Sequence, residues 1–167
     1  MSQLKAVSGA GMLKDVNDNF AALGPIGADV GLGNLRVARF EFDTAGTDSA
    51  GVSNKTVAAH GVGVSLPIYA IVVGGFVDVN TAFTSDGSAT VAIHTQAAND
   101  IISAAAVSGA PYSTIGRKAI TPKANTPEST SVKMSAAREI TCTVAVAALT
   151  AGKLSGYLYY VEGVASA

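Results

Sequence analysis

Tryptophan is absent from this chain, cysteine occurs once, histidine twice, and charge is scarce. Each shortage closes a class of function. A lone cysteine, Cys142, allows no intramolecular disulfide, so this is not a small secreted scaffold held by cross-links. Lys, Arg, Asp and Glu make up only 14% of 167 residues, with a net charge of −1. A nucleic-acid partner is therefore not expected, because displacing counterions from phosphates takes a basic footprint. The same scarcity removes the polybasic route to a membrane surface. The longest apolar stretch, Ile68–Val77, contains two glycines and is about half the roughly 20 residues that a bilayer span requires. Met1-Ser2-Gln3-Leu4-Lys5 lacks the basic-then-apolar pattern of a secretory signal. No membrane partner is expected.

The chain has alternation instead. Short β runs fill Leu35–Phe42, Thr56–Ala59, Gly61–Leu66 with Val62, Val64 and Leu66 on one face, Ile68–Val79, and Ala89–Thr95 with Val91 and Ile93 inward, and the alternating ones read as half-buried strands. Gly74-Gly75 inside the most apolar run marks a bulge or a close backbone approach. Asn99–Val107 reads as either a strand or a short helix with Asp100 as its cap. Ser108–Pro127 reads as irregular, and Ser129–Met134 as a short strand. Ala136–Glu162 then reads as a hairpin, with Ile140, Cys142, Val144 and Val146 facing the core from one strand and Tyr157, Tyr159 and Val161 from the other. Tyr160 points the opposite way. The expected fold is all-β, a single antiparallel β-sandwich or jelly roll of about eight strands. No strand–helix–strand alternation is present, which excludes doubly wound α/β folds.

One segment differs. In residues 11–23, Leu13, Val16, Phe20 and Leu23 recur at helical spacing, and Gly24-Pro25 ends the pattern. A helix of about three turns is marginal alone in water, so this stripe needs an apolar partner, and it is the candidate docking stripe. Ile26–Asn34 is glycine-rich and suits a connector. The expected organisation is an arm over residues 1–34 and a β-sandwich over 35–167. Hydrophobic residues make up 49% of the chain. Burial between subunits is the simplest place for that surplus, so self-association is expected.

Candidate chemistry is thin. His60 and His94 lie on different strands with no paired-ligand spacing, so a metal site with Glu41, Asp78 or Asp100 is not expected, and surface or interface roles are. Asp43, Asp48, Asp78 and Asp86 fall near turns without the alternate-residue spacing of a calcium loop, and read as solvated turn residues. Cys142 reads as a small core residue and not as a reactive thiolate. Gly31-Leu32-Gly33 and Gly61-Val62-Gly63 lack the Lys-Ser/Thr tail of a phosphate loop. Asn54-Lys55-Thr56 fits a glycosylation sequon, which carries no weight without a secretory signal. No catalytic residue, metal or cofactor is expected, because no nucleophile, base and orienting group stand together.

Three segments, Ile71–Ser85, Ala89–Ile93 and Met134–Leu154, together resemble small β-rich structural proteins of tailed bacteriophages, especially capsid decoration (cement) proteins. The resemblance runs from about Leu35 to Gly163, and its last segment is the most specific. It implies a jelly-roll-like sandwich, a homotrimer, a place on the outer capsid surface of a virion, and the major capsid protein as partner. The 1–34 arm would suit a clamp on neighbours. No site residues carry over.

Two functions compete at this point. The first is a non-enzymatic virion protein that binds at capsomer junctions and stabilises the capsid. The second is a head-fibre or tail-associated adhesion module, recognising a cell-surface glycan through loops such as Ser108–Pro127.

Overall fold

The computed structural model describes residues 34–122 and 131–165 of the chain. Its strands are β1 (Leu35–Asp43), β2 (Ala58–Leu66), β3 (Ala70–Thr84), β4 (Thr90–His94), β5 (Ile102–Ala106), β6 (Gly116–Ile120), β7 (Arg138–Ala145) and β8 (Ala151–Glu162), and no helix occurs among the described residues. They form two four-stranded sheets, ordered β1-β8-β3-β6 and β2-β7-β4-β5, with every pairing antiparallel. First pairs with last, second with seventh, third with sixth and fourth with fifth. That nested pairing is a long hairpin rolled up on itself, the jelly roll, and it meets the all-β expectation. The stripe Leu13, Val16, Phe20 and Leu23, and the arm to which it belongs, lie outside the described residues.

Period two explains the core. In β1, Ala38, Phe40 and Phe42 are buried while Val37, Arg39 and Glu41 are exposed. Val72, Val77, Val79 and Phe83 of β3 join them with Leu154 and Leu158 of β8, and Leu66, Val91, Ile93, Ile140, Cys142 and Val144 come in from the other sheet. Burying each large side chain is worth roughly 1.5–3 kcal/mol against leaving it in water. Cys142 is completely enclosed, as its strand pattern implied.

The nested topology corrects the expected terminal hairpin. β7 and β8 are consecutive in the chain but lie in opposite sheets. Residues 146–150 therefore cross between layers, carrying Leu149 into the core, and do not turn a hairpin. Val146 is not on the core face either: it has φ 71° and is 71% exposed, turned out where the strand ends. The face of β8 is also reversed from expectation. Leu154, Gly156 and Leu158 are buried, and Tyr160 packs against the core, whereas Tyr157, Tyr159 and Val161 lie on the outer side.

Further differences are local. Two short runs, Thr56–Ala59 and Gly61–Leu66, give way to the single strand β2, which begins only at Ala58 and whose register shifts between Gly61 and Ser65. Residues 102–106 are strand and not helix. The described part of Ser108–Pro127, up to residue 122, is less irregular than expected, since β6 pairs with β3 and Tyr112 is fully buried. Val132 to Met134 run beside the start of β3 through backbone bonds to Tyr69, Ala70 and Val72. Gly75 is a close approach, as expected: its φ is 154°, and a Cβ there would collide with the Tyr157 carbonyl.

Candidate interaction face

The histidines and aspartates do not converge, but three of them organise loops. His60 is not a surface residue, because its partner in register is Cys142 and its ring is fully enclosed. Nδ1 meets Asp48 Oδ2 at 3.0 Å, and Nε2 meets the Thr56 carbonyl at 2.9 Å. Asp48 Oδ1 accepts from the amides of Ala50 and Val52. Asp48 is thus the pivot of the 43–58 loop and not a solvated turn residue. The Val52 amide, then His60 and the Ala50 amide, hold its carboxyl below the usual carboxylate range against the opposing effect of burial. Asp100 does the same for the β4–β5 turn, accepting from the amides of Thr95, Gln96 and Ala97.

The other candidates are dispersed. His94 Nε2 bonds Thr143 Oγ1 at 2.8 Å on the outside of the second sheet. Lys153 bridges Glu41 and Asp43, at 2.9 and 3.1 Å. The Ala45 amide and Lys153 keep the Asp43 carboxyl low. Asp86 is exposed in its turn. Asn54 is buried and donates to the Asp43 carbonyl, which takes it out of any sequon role. Gly63 gives its amide to Glu139 at 2.6 Å. Among the described residues no three of His, Cys, Asp and Glu gather where they could hold a metal ion. A cleft of about 400 Å3 between β5 and the 110–121 segment is lined by Ile101, Ile102, Ser103, Ala110, Pro111 and Ala119, without a charged or aromatic side chain.

The side chains that do converge lie on the outer face of the β1-β8-β3-β6 sheet. Register sets them in rows across the strands. Leu35, Val161 and Ile71 make one row, and Val37, Tyr159 and Gly74 the next. Arg39, Tyr157, Phe76 and Ala119 follow, then Glu41, Ser155, Asp78 and Arg117. The face therefore grades from aliphatic at one end to charged at the other, with aromatic rings between.

Its centre is a stack. The rings of Phe76 and Tyr157 lie 4.7 Å apart at 21°, and Tyr159 meets Phe76 edge-on at 6.2 Å. The Arg117 guanidinium sits 4.5 Å from the centre of the Phe76 ring, and that of Arg39 5.9 Å from Tyr157. Aromatic rings flanked by guanidinium groups are the composition enriched at the centres of protein interfaces. Phe76, Arg39, Arg117 and Val37 were not among the residues singled out from sequence. The signal was present, because Val37 and Arg39 alternate with the core residues Phe40 and Phe42. Assigning Tyr157 and Tyr159 to the core concealed it.

No family model matches the sequence, and no curated protein does either. The fold, by contrast, is similar to chains in solved phage capsids. In the capsid of Ralstonia phage GP4 one chain is similar with a TM-score of 0.53 and 18% identity, over 80% of this chain and 87% of that one. In the cyanophage Pam1 capsid asymmetric unit the values are 0.51 and 20%, over 78% and 86%. In the acidic stable capsid of Helicobacter pylori bacteriophage KHP30 they are 0.50 and 12%, over 76% and 86%. At these identities the likeness is one of fold.

Proposed function

We propose that this chain is a structural protein of a phage virion, a non-enzymatic jelly roll that sits on the outer surface of the capsid and stabilises it. Its partners in this reading are the major capsid protein, at the junctions of capsomers, and further copies of itself. The observation that carries the proposal is the fold: chains of three phage capsids match it over 86–87% of their own length. The outer face of the β1-β8-β3-β6 sheet, with exposed Leu35 and Val37 beside half-buried Phe76, Tyr157 and Tyr159, would supply the means. A standard interface covers about 800 Å2 on each partner, and apolar area removed from water is worth about 25 cal/mol per Å2 before ordering costs are met. A protein that works by contact needs such a face and needs no catalytic cluster.

The test is localisation and stoichiometry. Purified virions should contain the protein at a copy number matching capsomer junctions, and the recombinant chain should bind shells that lack it and raise their resistance to heat. A handful of copies at a fibre or tail would favour the adhesion reading instead. Absence from virions would reject both.

A further inference from the structure

We infer that the free edge of β1 receives an extended segment of the major capsid protein, which adds to the four-stranded β1-β8-β3-β6 sheet beside β1. The inference rests on the proposed virion role and names the surface through which attachment occurs. The first support is hydrogen bonding. The Thr44 amide donates to the Gly152 carbonyl at 3.0 Å, and β1 keeps one unbroken register with β8. Antiparallel alternation then turns the backbone groups of Arg36, Ala38, Phe40 and Phe42 toward β8, and those of Leu35, Val37, Arg39 and Glu41 away from it. The outward set has no backbone partner among the described residues.

The second support is that the other edges are guarded and this one is not. β5 and β6 have five residues each, Asn99 takes the Ala104 amide of β5, and β6 carries Arg117 and Lys118. β2 breaks register between Gly61 and Ser65, and Glu139 takes its Gly63 amide. β1 has nine residues without glycine, proline or bulge. Its charged side chains are drawn onto β8: Arg36 to Glu162, Arg39 over Tyr157, Glu41 and Asp43 to Lys153. The backbone edge is left bare. A cleft of about 220 Å3, lined by Arg39, Phe40, Glu41 and Val64, lies between it and β2 and gives an added strand room for side chains.

Side chains set the chemistry of the partner. Leu35 and Val37 are 41% and 55% exposed, and Arg39 has no carboxylate within 4.0 Å among the described residues. The segment that fits is apolar opposite Leu35 and Val37 and acidic opposite Arg39. A second copy of β1 does not meet this requirement. The 43–58 loop closes the edge at Asp43, whose carbonyl accepts from Gly46 and Asn54. An antiparallel copy over the open stretch pairs Val37 with Arg39 and Leu35 with Glu41, so no acid opposes Arg39. The register that sets Glu41 opposite Arg39 lays Val37 of the copy against Asp43, where the loop stands.

The full chain and shells that lack it provide the test, with attachment read by cosedimentation and folding by thermal melting. Val37→Pro removes an N–H that the domain does not use and blocks strand addition. It should melt near the wild type and attach about tenfold more weakly or worse. Arg39→Glu should weaken attachment by about tenfold or more, and Arg39→Lys should retain most of it. Hydrogen exchange over residues 35–42 should slow when the wild type attaches. Normal attachment by a folded Val37→Pro or by Arg39→Glu, or unchanged exchange in the attached protein, would overturn the inference and leave the virion role standing. Wild-type dimers that Val37→Pro dissociates would give the edge to a second copy and overturn it as well. So would slow exchange in the free chain that speeds up when residues 1–33 are deleted, since the edge would then belong to the chain's own arm. A wild type that attaches to no shell and is absent from virions would reject the role and the inference together.

Discussion

His60 Nδ1 and Asp48 Oδ2 are 3.0 Å apart, the ring fully enclosed and the carboxylate side chain 5% exposed. The other ring nitrogen lies 2.9 Å from the Thr56 carbonyl, so the ring is held from both sides. The pair ties the 43–58 loop to β2.

The first prediction concerns acid. A carboxyl held below its ordinary range adds stability above the unfolded value, near pH 4, and loses it as pH falls through the folded value. Asp48 and Asp43 are both held low. Asp48→Asn should therefore melt below the wild type at pH 7, and the gap should close as pH drops below about 4. Melting curves from pH 7 to 3 measure this. A gap that stays constant through that range would mean the carboxylate's charge contributes nothing.

Tyr112 gives the second. Its ring meets Phe83 edge-on at 5.4 Å, but its hydroxyl is enclosed without a hydrogen-bond partner. Burial pushes the phenol far above its ordinary value. An unsatisfied buried hydroxyl costs about 1–3 kcal/mol. Tyr112→Phe should keep the ring packing and raise stability by about 1 kcal/mol, read by urea denaturation. A loss of stability would mean that the hydroxyl is satisfied in solution.

How far the sequence carried the fold can be judged at single residues. Ile140, Cys142 and Val144 alternate with threonines, so only one face of β7 is apolar and its orientation was readable. β8 is apolar on both faces, with Leu154, Leu158 and Tyr160 inward and Tyr157, Tyr159 and Val161 outward. Period two then fixes two sets but not which one is inside, and the weight of two tyrosines favoured the wrong one. Alternation also says nothing about partners. It could not distinguish a β7–β8 hairpin from two strands in opposite sheets, because that is set by the nesting of all eight. The Asp48–His60 contact spans twelve residues and a loop, and no spacing rule reaches it.

One residue in β8 did hold the missing information, and it supplies the third prediction. Gly156 faces inward, where a Cβ would enter the space of the Phe40 ring across the β1–β8 pairing. Gly156→Ala should force that ring to move and destabilise the fold by about 1–3 kcal/mol, the usual cost of overpacking. Shortening the opposing side chain in Gly156→Ala/Phe40→Leu should recover part of the loss. Additive losses in the double variant, measured by chemical denaturation, would show that the two positions do not compete for one space.

The last prediction returns to the arm. Residues 11–23 carry an apolar stripe, Leu13, Val16, Phe20 and Leu23, on a segment too short to be a stable helix alone. All eight strands and the whole buried cluster from Ala38 to Leu158 lie beyond it in the chain. Deleting residues 1–33 should therefore leave a cooperatively melting β domain. If the stripe serves a neighbour in the shell, the truncated chain should lose attachment to shells that lack the protein, and Phe20→Asp in the full chain should reproduce that loss without lowering the melting temperature. A truncated chain that unfolds would make the stripe part of the core. One that folds and attaches normally would move the attachment surface onto the sandwich.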